Sequence, residues 1–512
     1  MHKYFLTIDN GGTNTKVVIC DELGHQLAAV AFPTKGLQPK PGYHELSLTD
    51  LWDKLGESTQ KALAEAGLTG AQISGVATVG HGKGLYVLDL NHQPFMNGIL
   101  SADSRAEELA EEFESRVHEI YSISHQHVMT SQAPVILRWL KDNQPNNYQQ
   151  IGAILSNKDY IGYLLTGEVK QEIGDASGNN FVNLDLGHYD RKLFEFFGIP
   201  EMYDQMPPLI KATDQRGVIS DQAAAKTGLV AGTPVFGGMF DIDACAIATG
   251  VLDDDKFSII AGTWNMNIFP CDTMAPESSN LMNSIFPTGK NLVEASSPTS
   301  AGNLAIILRM LMTAETRDAE ANGESIYDTL EQFLESTDAH YCQVLFYPFL
   351  YGSNSAPDAE GSFIGLRSTT TKSEMIRAVY EGIAFAHRYH IEQLMRATDK
   401  KPTVLRMSGG ATNSKAWIQI FSDILKFPIE IVEATELGGL GGSIASAVGT
   451  GVYSSLEEAS AKMSKVRQRF EPQFDQVKIY DEKYAQYVIF MDALKDSWKS
   501  FKKMQERIAE ND

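Results

Sequence analysis

The feature that most constrains the fold is a strand, glycine turn, strand unit that occurs twice. Near the N-terminus, Leu6-Thr7-Ile8-Asp9-Asn10-Gly11-Gly12-Thr13-Asn14-Thr15-Lys16-Val17-Val18 reads as an apolar strand, a glycine turn carrying hydroxyl and amide side chains, and a second apolar strand. A shorter copy, Phe257-Ser258-Ile259-Ile260-Ala261-Gly262-Thr263-Trp264-Asn265-Met266-Asn267-Ile268, opens the second half. Glycine lets such a turn place backbone N–H groups against an anion with no Cβ in the way, and the adjacent Thr and Asn add donors suited to phosphate oxygens. One such turn is usually only a hairpin, whereas two copies point to two similar half-molecules facing one polyphosphate. Asp9 ends the first strand, where an unpaired carboxylate is costly; a phosphate-bound cation, or water on it, would give it a partner. Neither turn fits Gly-x-x-x-x-Gly-Lys-Ser/Thr, which excludes a P-loop NTPase.

A chain of 512 residues has room for two or more domains, and 43% apolar with 21% charged residues is an ordinary globular composition. The formal net charge of −22 argues against nucleic acid and anionic membrane as partners, since both need basic surface. Cys20, Cys245, Cys271 and Cys342 are far apart without metal-ligand spacing, as expected of reduced, buried thiols. The N-terminus enters a strand directly, with no signal-peptide pattern, and no apolar stretch is long enough to span a bilayer. The expectation is a cytoplasmic protein acting on small soluble molecules.

In the first half, strand patterns over 5–8, 16–20, 73–79 and 84–89 alternate with helical periods over 48–66, 102–118 and 133–141, which points to α/β layers. A Pro-rich stretch at 200–208 and a turn at 231–234 punctuate the end of this half. The second half carries helical patterns over 302–312, 373–397, 414–425 and 480–510, the last a solvated amphipathic helix. The boundary falls near residue 248, giving domains 1–248 and 249–512.

With the duplicated turn in hand, the chain resembles the FGGY carbohydrate kinases over nearly its whole length. The blocks that carry this are Asp9-x-Gly11-Gly12-Thr13, Lys158-Asp159-Tyr160 to Leu165-Thr166-Gly167, Gly237-Gly238-Met239-Phe240-Asp241 and Gly262-Thr263-Trp264. They continue with Arg377-Ala378-Val379-Tyr380-Glu381-Gly382, Ser408-Gly409-Gly410-Ala411 through Trp417 and Asp423, and Glu436-Leu437-Gly438-Gly439-Leu440-Gly441-Gly442. The resemblance implies an α/β fold of two actin/hexokinase-like (ribonuclease H-like) domains with the active site in an interdomain cleft. It implies ATP and Mg²⁺ as cofactors, a small-molecule sugar as substrate and a homodimer. A narrower likeness, to family members acting on L-xylulose, rests on Gly80-His81-Gly82-Lys83-Gly84-Leu85, Ile99 to Ala106, Glu294-Ala295-Ser296-Ser297-Pro298-Thr299 and Pro348-Phe349-Leu350-Tyr351-Gly352-Ser353-Asn354. The last block departs from the Gly-Glu-Arg common in the wider family, which weakens the case for D-xylulose and glycerol. Other small ketoses, sugar acids or polyols, such as 3-keto-L-gulonate, D-xylulose or erythritol, stay open, as does a sugar sensor that uses the fold without catalysis.

Asp241 is the expected catalytic base by this resemblance. The residues agree to a point: it stands in an apolar, small-residue run at the start of a helix over 242–250, whose N-terminus favours the anion. They leave open a simple capping role. Asp243 is a rival base but lacks the Gly-Gly-x-x-Asp spacing. The resemblance places His81, Asp103 and Arg105 at the sugar. On residues alone His81 could be structural, and Asp103 with Arg105 a local ion pair at the start of a helix near 102. It also implies Gly11, Gly12, Thr13 and Asn14 at the β- and γ-phosphates, Gly262 and Thr263 at the γ-phosphate, and Gly409, Gly410 and Asn413 at the adenosine. Asp9 would act on Mg²⁺ indirectly, through water. The turn at 408–413 could equally be a capped helix entry. Trp417 reads as helix core, and the glycine pairs at 438–439 and 441–442 as close packing leading into a helix over 443–448. The incomplete match at Gly439-Leu440-Gly441 does not support NAD binding.

Overall fold

A computed structural model describes residues 2–509. The chain forms two compact units, one of Met1–Leu252, Pro270–Val293 and Glu433–Lys465, the other of Asp253–Phe269, Glu294–Val432 and Val466–Asp512. Both are α/β.

The first unit is built on a six-stranded sheet in the order Gln215–Val218, Pro234–Phe240, Ile73–Gly80, Tyr4–Asn10, Asn14–Asp21, Gln26–Pro33. The middle strands Pro234–Phe240, Ile73–Gly80 and Tyr4–Asn10 run parallel, and the outer ones are antiparallel to their neighbours. Leu6, Ile8, Val17 and Ile19 form one apolar face, packed with Leu48, Leu51 and Leu55 of the helix Leu48–Glu65. Ser47 caps that helix, its hydroxyl accepting from the Asp50 N–H at 3.3 Å.

The opposite face is covered by the helix Leu437–Gly449. Its glycines are the reason it lies so close. A Cβ on Gly442 would strike the Thr7 side chain, one on Gly439 would strike Val18, and one on Gly438 would fall on the Asp9 carboxylate. Gly438 and Gly442 are one helical turn apart and meet Asp9 and Thr7, alternate residues of one strand, so helix and strand periods match over this contact. Here the helix starts six residues before the 443–448 segment expected from sequence. Glycine costs about 1 kcal/mol per position in a helix relative to alanine, but close approach to the sheet overrides that preference.

The helix expected from residue 102 begins instead at Glu107, in Glu107–Glu114, because 102–106 forms turns that carry Asp103 and Arg105. The final helix starts at Phe474, six residues before the 480 expected, and the other patterned segments form with boundaries shifted by a few residues at most: Ala133–Asn143, Ala301–Leu311, Lys372–Thr398 and Lys415–Leu425 among them.

The second unit repeats the central arrangement of the first. Strand Lys256–Ala261 pairs antiparallel with Asn265–Cys271 across the second glycine turn and parallel with Val404–Ser408 on its other side. Ile429–Val432 and the antiparallel Val466–Phe470 extend the sheet. The long helix Lys372–Thr398 begins in a capping box of Thr371 and Glu374. It anchors the final helix Phe474–Ala509: Arg377 donates to Glu381 at 3.0 Å and to the Tyr480 hydroxyl at 2.9 Å, and Lys483 reaches Glu381 at 2.7 Å. Glu510, included in the expected last helix, lies outside the described residues. No described helix is long and apolar enough to cross a membrane.

Candidate active site

Three parallel strands of the first unit end side by side and deliver three of the expected residues to one edge. Asn10 is level with Gly80, and Gly80 with Phe240, so the turn after Asn10, His81 after Gly80 and Asp241 after Phe240 emerge together. The first turn is closed by Gly11 N–H donating to Asn14 O at 3.1 Å, and His81 N–H donates to Asn10 O at 3.1 Å. Gly12, Thr13 and Asn14 are exposed, the space where a Gly12 Cβ would stand is open, and the buried Asn10 Nδ2 has no hydrogen-bond partner. The turn thus offers open backbone and a spare donor to an anion. Asp9 is half-buried, and burial pushes its carboxyl up to about 6, with Lys16 pulling it down and Glu436 pushing it up. Lys16 itself is held by Glu436 at 2.5 Å.

Asp241 opens the helix Asp241–Ala248 and is half-buried. The glycines before it have a mechanical reason. The register of Pro234–Phe240 shifts between Phe236 and Met239, and Gly238 takes φ +71° there with its Cβ position on the Thr78 carbonyl, so only glycine fits this bulge ahead of the carboxylate. Asp243, two residues on, is 1% exposed, and neither of its carboxyl oxygens has a hydrogen-bond partner. Burial first, then Glu172, Asp175 and Asp241, push its carboxyl well above the usual range, with Lys158 opposing. Asp243 is therefore a neutral acid sealed from solution, while Asp241 has accessible surface.

The groups around Asp243 form a buried ionic cluster. Lys158 lies 2.9 Å from Asp159, 3.5 Å from Glu172 and 3.8 Å from Asp175, and Arg216 pairs with Asp159. Burial opposes ionisation of Asp159, but Lys158 and Arg216 hold its carboxyl below the ordinary value. Asp175 is pushed up to about 7, mainly by burial. In the sequence Lys158-Asp159 carries no role of its own, and its adjacent charges in an apolar run are the only local sign of this cluster.

His81 is 5% exposed with both ring nitrogens engaged: Nδ1 lies 3.2 Å from Gly82 O, and Asn157 Nδ2 is 2.8 Å from Nε2. A carbonyl only accepts, so Nδ1 carries the proton and Nε2 accepts. Burial lowers the ring to about 4, and it is neutral. Asp103 and Arg105 form a bidentate pair, Nε to Oδ1 and Nη2 to Oδ2 both at 2.9 Å, and Arg105 also donates to Glu45 at 2.8 Å. The guanidinium stacks 4.1 Å from the Tyr43 ring centre and 5.3 Å from Trp139. With the charged side chains each 1% exposed, this is a buried pair. Asp103 also accepts from His44 N–H at 2.7 Å and so fixes the neighbouring loop.

In the second unit the turn at Gly262 and Thr263 adjoins Gly409. Ile260 is level with Ser408, and Gly409, at φ +88°, packs where a Cβ would lie 2.6 Å from the Ala261 carbonyl carbon and 2.9 Å from Gly262 N. Thr263, Gly409, Gly410 and Asn413 are exposed, and the Cβ positions of Gly262 and Gly410 are open. Asn413 ends the short turn Gly410–Asn413; Ser414 caps the next helix, accepting from Trp417 N–H at 3.0 Å. Trp417 is 3% exposed and donates its indole N–H to Tyr380 O at 3.1 Å. Among the described residues no three His, Cys, Asp or Glu side chains converge to hold a metal ion.

Residues 4–248 match the N-terminal domain, and residues 257–450 the C-terminal domain, of the FGGY family of carbohydrate kinases. The chain belongs to the FGGY family of carbohydrate kinases. This sugar kinase is 32% identical to the L-xylulose/3-keto-L-gulonate kinase of Escherichia coli K12, over 96% of this chain and 98% of the relative. Its fold is that of solved kinase structures: ligand-bound xylulose kinase and gluconate kinase, both from Lactobacillus acidophilus, each superpose with a TM-score of 0.88. They share 22% and 23% identity with it, over 98% of this chain and 100% of each of theirs. Two neighbours named for different substrates fit equally well, so the kinase fold does not fix the sugar.

Proposed function

We propose that the kinase transfers the γ-phosphate of ATP to the terminal hydroxyl of a ketopentose, L-xylulose giving L-xylulose 5-phosphate, with Asp241 as the base. The observation that carries this is the convergence of the Asn10 turn, His81 and Asp241 at the ends of three adjacent parallel strands. Asp241 is a half-buried carboxylate there, and its place in the first turn of a helix favours the anion. As the sugar oxygen attacks phosphorus, Asp241 takes its proton and later returns it to solvent. Such a base need not be strong, because the nucleophile needs it late in a loose transition state. His81, Asp103 and Arg105 are proposed at the sugar. The pairing of Arg105 with Asp103 and Glu45 leaves Asp103 and Arg105 the role of fixing the loop beside it.

Gly11, Gly12, Thr13 and Asn14, and in the second unit Gly262, Thr263, Gly409, Gly410 and Asn413, are proposed as nucleotide contacts, supported by the open space over Gly12, Gly262 and Gly410. The raised Asp9 carboxyl fits a cation: a positive charge nearby would offset the burial that pushes it up, directly or through water. Mg²⁺ carried with the nucleotide would supply neutralisation of phosphate charge when bound. The E. coli relative's name carries both L-xylulose and 3-keto-L-gulonate, which supports both within one site class. The same reading takes the enzyme to be a cytoplasmic homodimer; sedimentation velocity tests the dimer.

The test is ADP release from MgATP across L-xylulose, 3-keto-L-gulonate, D-xylulose and erythritol, with Asp241→Asn as control. L-xylulose is expected to give the highest kcat/KM, and the variant to lose about 10³-fold, within the range for a general base. Turnover of another sugar would correct the substrate. An Asp241→Asn enzyme that kept most of its turnover would sink the assignment of the base, and sugar binding without any turnover would favour a sensor.

A further inference from the structure

The second glycine turn is backed by a closed ring of buried hydrogen bonds that neither the turn nor the family motifs require. Asn265, the first residue of the strand after the turn, donates from Nδ2 to Thr299 Oγ1 at 3.2 Å. Its Oδ1 accepts from Asn267 Nδ2 at 2.7 Å, and Asn267 Oδ1 lies 3.0 Å from His387 Nδ1. His387 Nε2 lies 3.0 Å from Ser300 Oγ, and Ser300 follows Thr299, which closes the ring. All five residues are 0% exposed.

The direction of each bond is fixed. Asn267 Nδ2 also donates to Ala295 O at 3.2 Å, and a carbonyl cannot donate, so the amide presents its oxygen to His387. Nδ1 of His387 therefore carries the proton, and Nε2 accepts from the Ser300 hydroxyl. Burial and neighbouring His390 hold the imidazole well below its usual pKa, which keeps it neutral and in that one tautomer.

Ser300 shows what the ring costs. It is the N-cap of the helix Ala301–Leu311, a position where serine ordinarily bonds the first turn, yet its side chain makes no cap bond. The hydroxyl is turned to His387 instead. Gly302, in that first turn, sits under the phosphate turn: a Cβ there would lie 3.1 Å from Thr263 Cγ2 and 3.3 Å from Thr263 Cα. The ring thus joins the stem of the turn, at Asn265, to the start of the helix on which Thr263 rests.

We infer that His387 is a positioning residue for nucleotide binding, locking the Gly262-Thr263 turn onto the start of the helix Ala301–Leu311 through Asn267, Asn265 and Ser300. This rests on the reading of Gly262 and Thr263 as nucleotide contacts. It adds a residue far along the chain that meets no substrate and acts only through the ring.

The test uses the full-length protein, ADP and L-xylulose titrations by calorimetry, and ¹⁵N spectra of labelled histidine. In wild type, Nδ1 of His387 is expected to carry a slowly exchanging proton that persists from about pH 5.5 to 8.5, as for a buried neutral ring. His387→Leu should weaken ADP binding by about tenfold or more, the scale of an unpaired buried polar group, with L-xylulose affinity within about twofold of wild type. His387→Gln, which keeps a donor and an acceptor, should recover most of the loss. Ser300→Ala removes one ring hydroxyl without removing a cap bond, should weaken ADP binding in the same direction, and decides the matter if His387→Leu does not fold. Unchanged ADP affinity in folded His387→Leu or Ser300→Ala, equal losses for ADP and sugar, or a Gln variant no better than Leu would each overturn the inference. Wild type that binds ADP but phosphorylates no sugar would overturn the proposed reaction and leave the ring's role standing; wild type that binds no ADP would overturn both.

Discussion

Asp241 and Asp243 are two residues apart and of one chemical type, and their surroundings give them opposite characters. Asp243 is sealed under the helix beside Glu172, Asp175 and Lys158 with its carboxyl pushed far up, so asparagine closely resembles the form it already has. The prediction is that Asp243→Asn keeps more than about half of wild-type kcat at pH 7 while Asp241→Asn falls by about 10³, a contrast that steady-state kinetics on the two variants would check. Asp9 makes a pH prediction. Its raised carboxyl ionises only above about 6, so turnover should fall as pH drops through 6. Bound Mg²⁺ should move that limb to lower pH, and Asp9→Asn should remove it; a profile of kcat/KM for MgATP against pH and Mg²⁺ would show whether it does. From sequence, the Gly-Gly-x-x-Asp spacing already ranked Asp241 above Asp243. The spacing carries no information on burial, and the residues alone left the Asp103–Arg105 ion pair unweighed, because its enclosure by Tyr43, Trp139 and Glu45 comes from segments distant in the chain.

Among the elements, the helix Leu437–Gly449 is the one whose extent was least legible. The glycine pairs at 438–439 and 441–442 read as close packing ahead of a helix over 443–448; they are themselves helical, and each lies against a neighbour that leaves no room for a Cβ. At Gly441 that neighbour is the backbone of Ala244, in the helix that begins with Asp241, with a Cβ position 2.6 Å from the Ala244 Cα. Gly441→Ala is predicted to destabilise the fold by about 1–3 kcal/mol, as overpacking does, and to lower kcat by displacing the Asp241 helix. Urea unfolding together with kcat would check this, and unchanged values of both would refute it. The strands around both glycine turns and the helices Leu48–Glu65, Ala301–Leu311 and Lys415–Leu425 were legible because their apolar periods are strong, with Ser47 and Ser414 as local caps on the first and last of these helices.

At the scale of the molecule, buried titratable groups set the response to acid, and they oppose one another. Asp9, Asp175 and Asp423 are raised to about 6, 7 and 6, so the folded chain binds protons there that the unfolded chain has released at pH 5. This adds stability as pH falls through the folded values toward the ordinary carboxylate range. His81 and His390 are lowered to about 4, and His387 is lowered further below its ordinary value, so the unfolded chain binds protons there that the folded chain refuses. Their contribution is present above the ordinary histidine value and is lost as pH falls toward 4. Asp243 and Glu172 are raised as well, so five carboxyls oppose three imidazoles and unfolding releases protons on balance near pH 5. The melting temperature is therefore predicted to hold or rise slightly from pH 7 to 5, then to fall below about pH 4, where carboxyls held low such as Asp159 take up protons. Scanning calorimetry across that range would check it; a steep fall between pH 7 and 5 would mean that the imidazoles dominate. By itself the sequence determined the duplicated strand and glycine-turn unit, the α/β character and the place of Asp241 after its glycine pair, because each is a local pattern of period, turn chemistry or spacing. Only the tertiary structure decided that Glu433–Lys465 returns to the N-terminal unit to cover Asp9, that Asp243 is fully buried while Asp241 is only half-buried, and that the Ser300 hydroxyl serves His387 rather than capping its helix. Those facts depend on which distant segments exclude water from a side chain, and no local pattern in the chain encodes that.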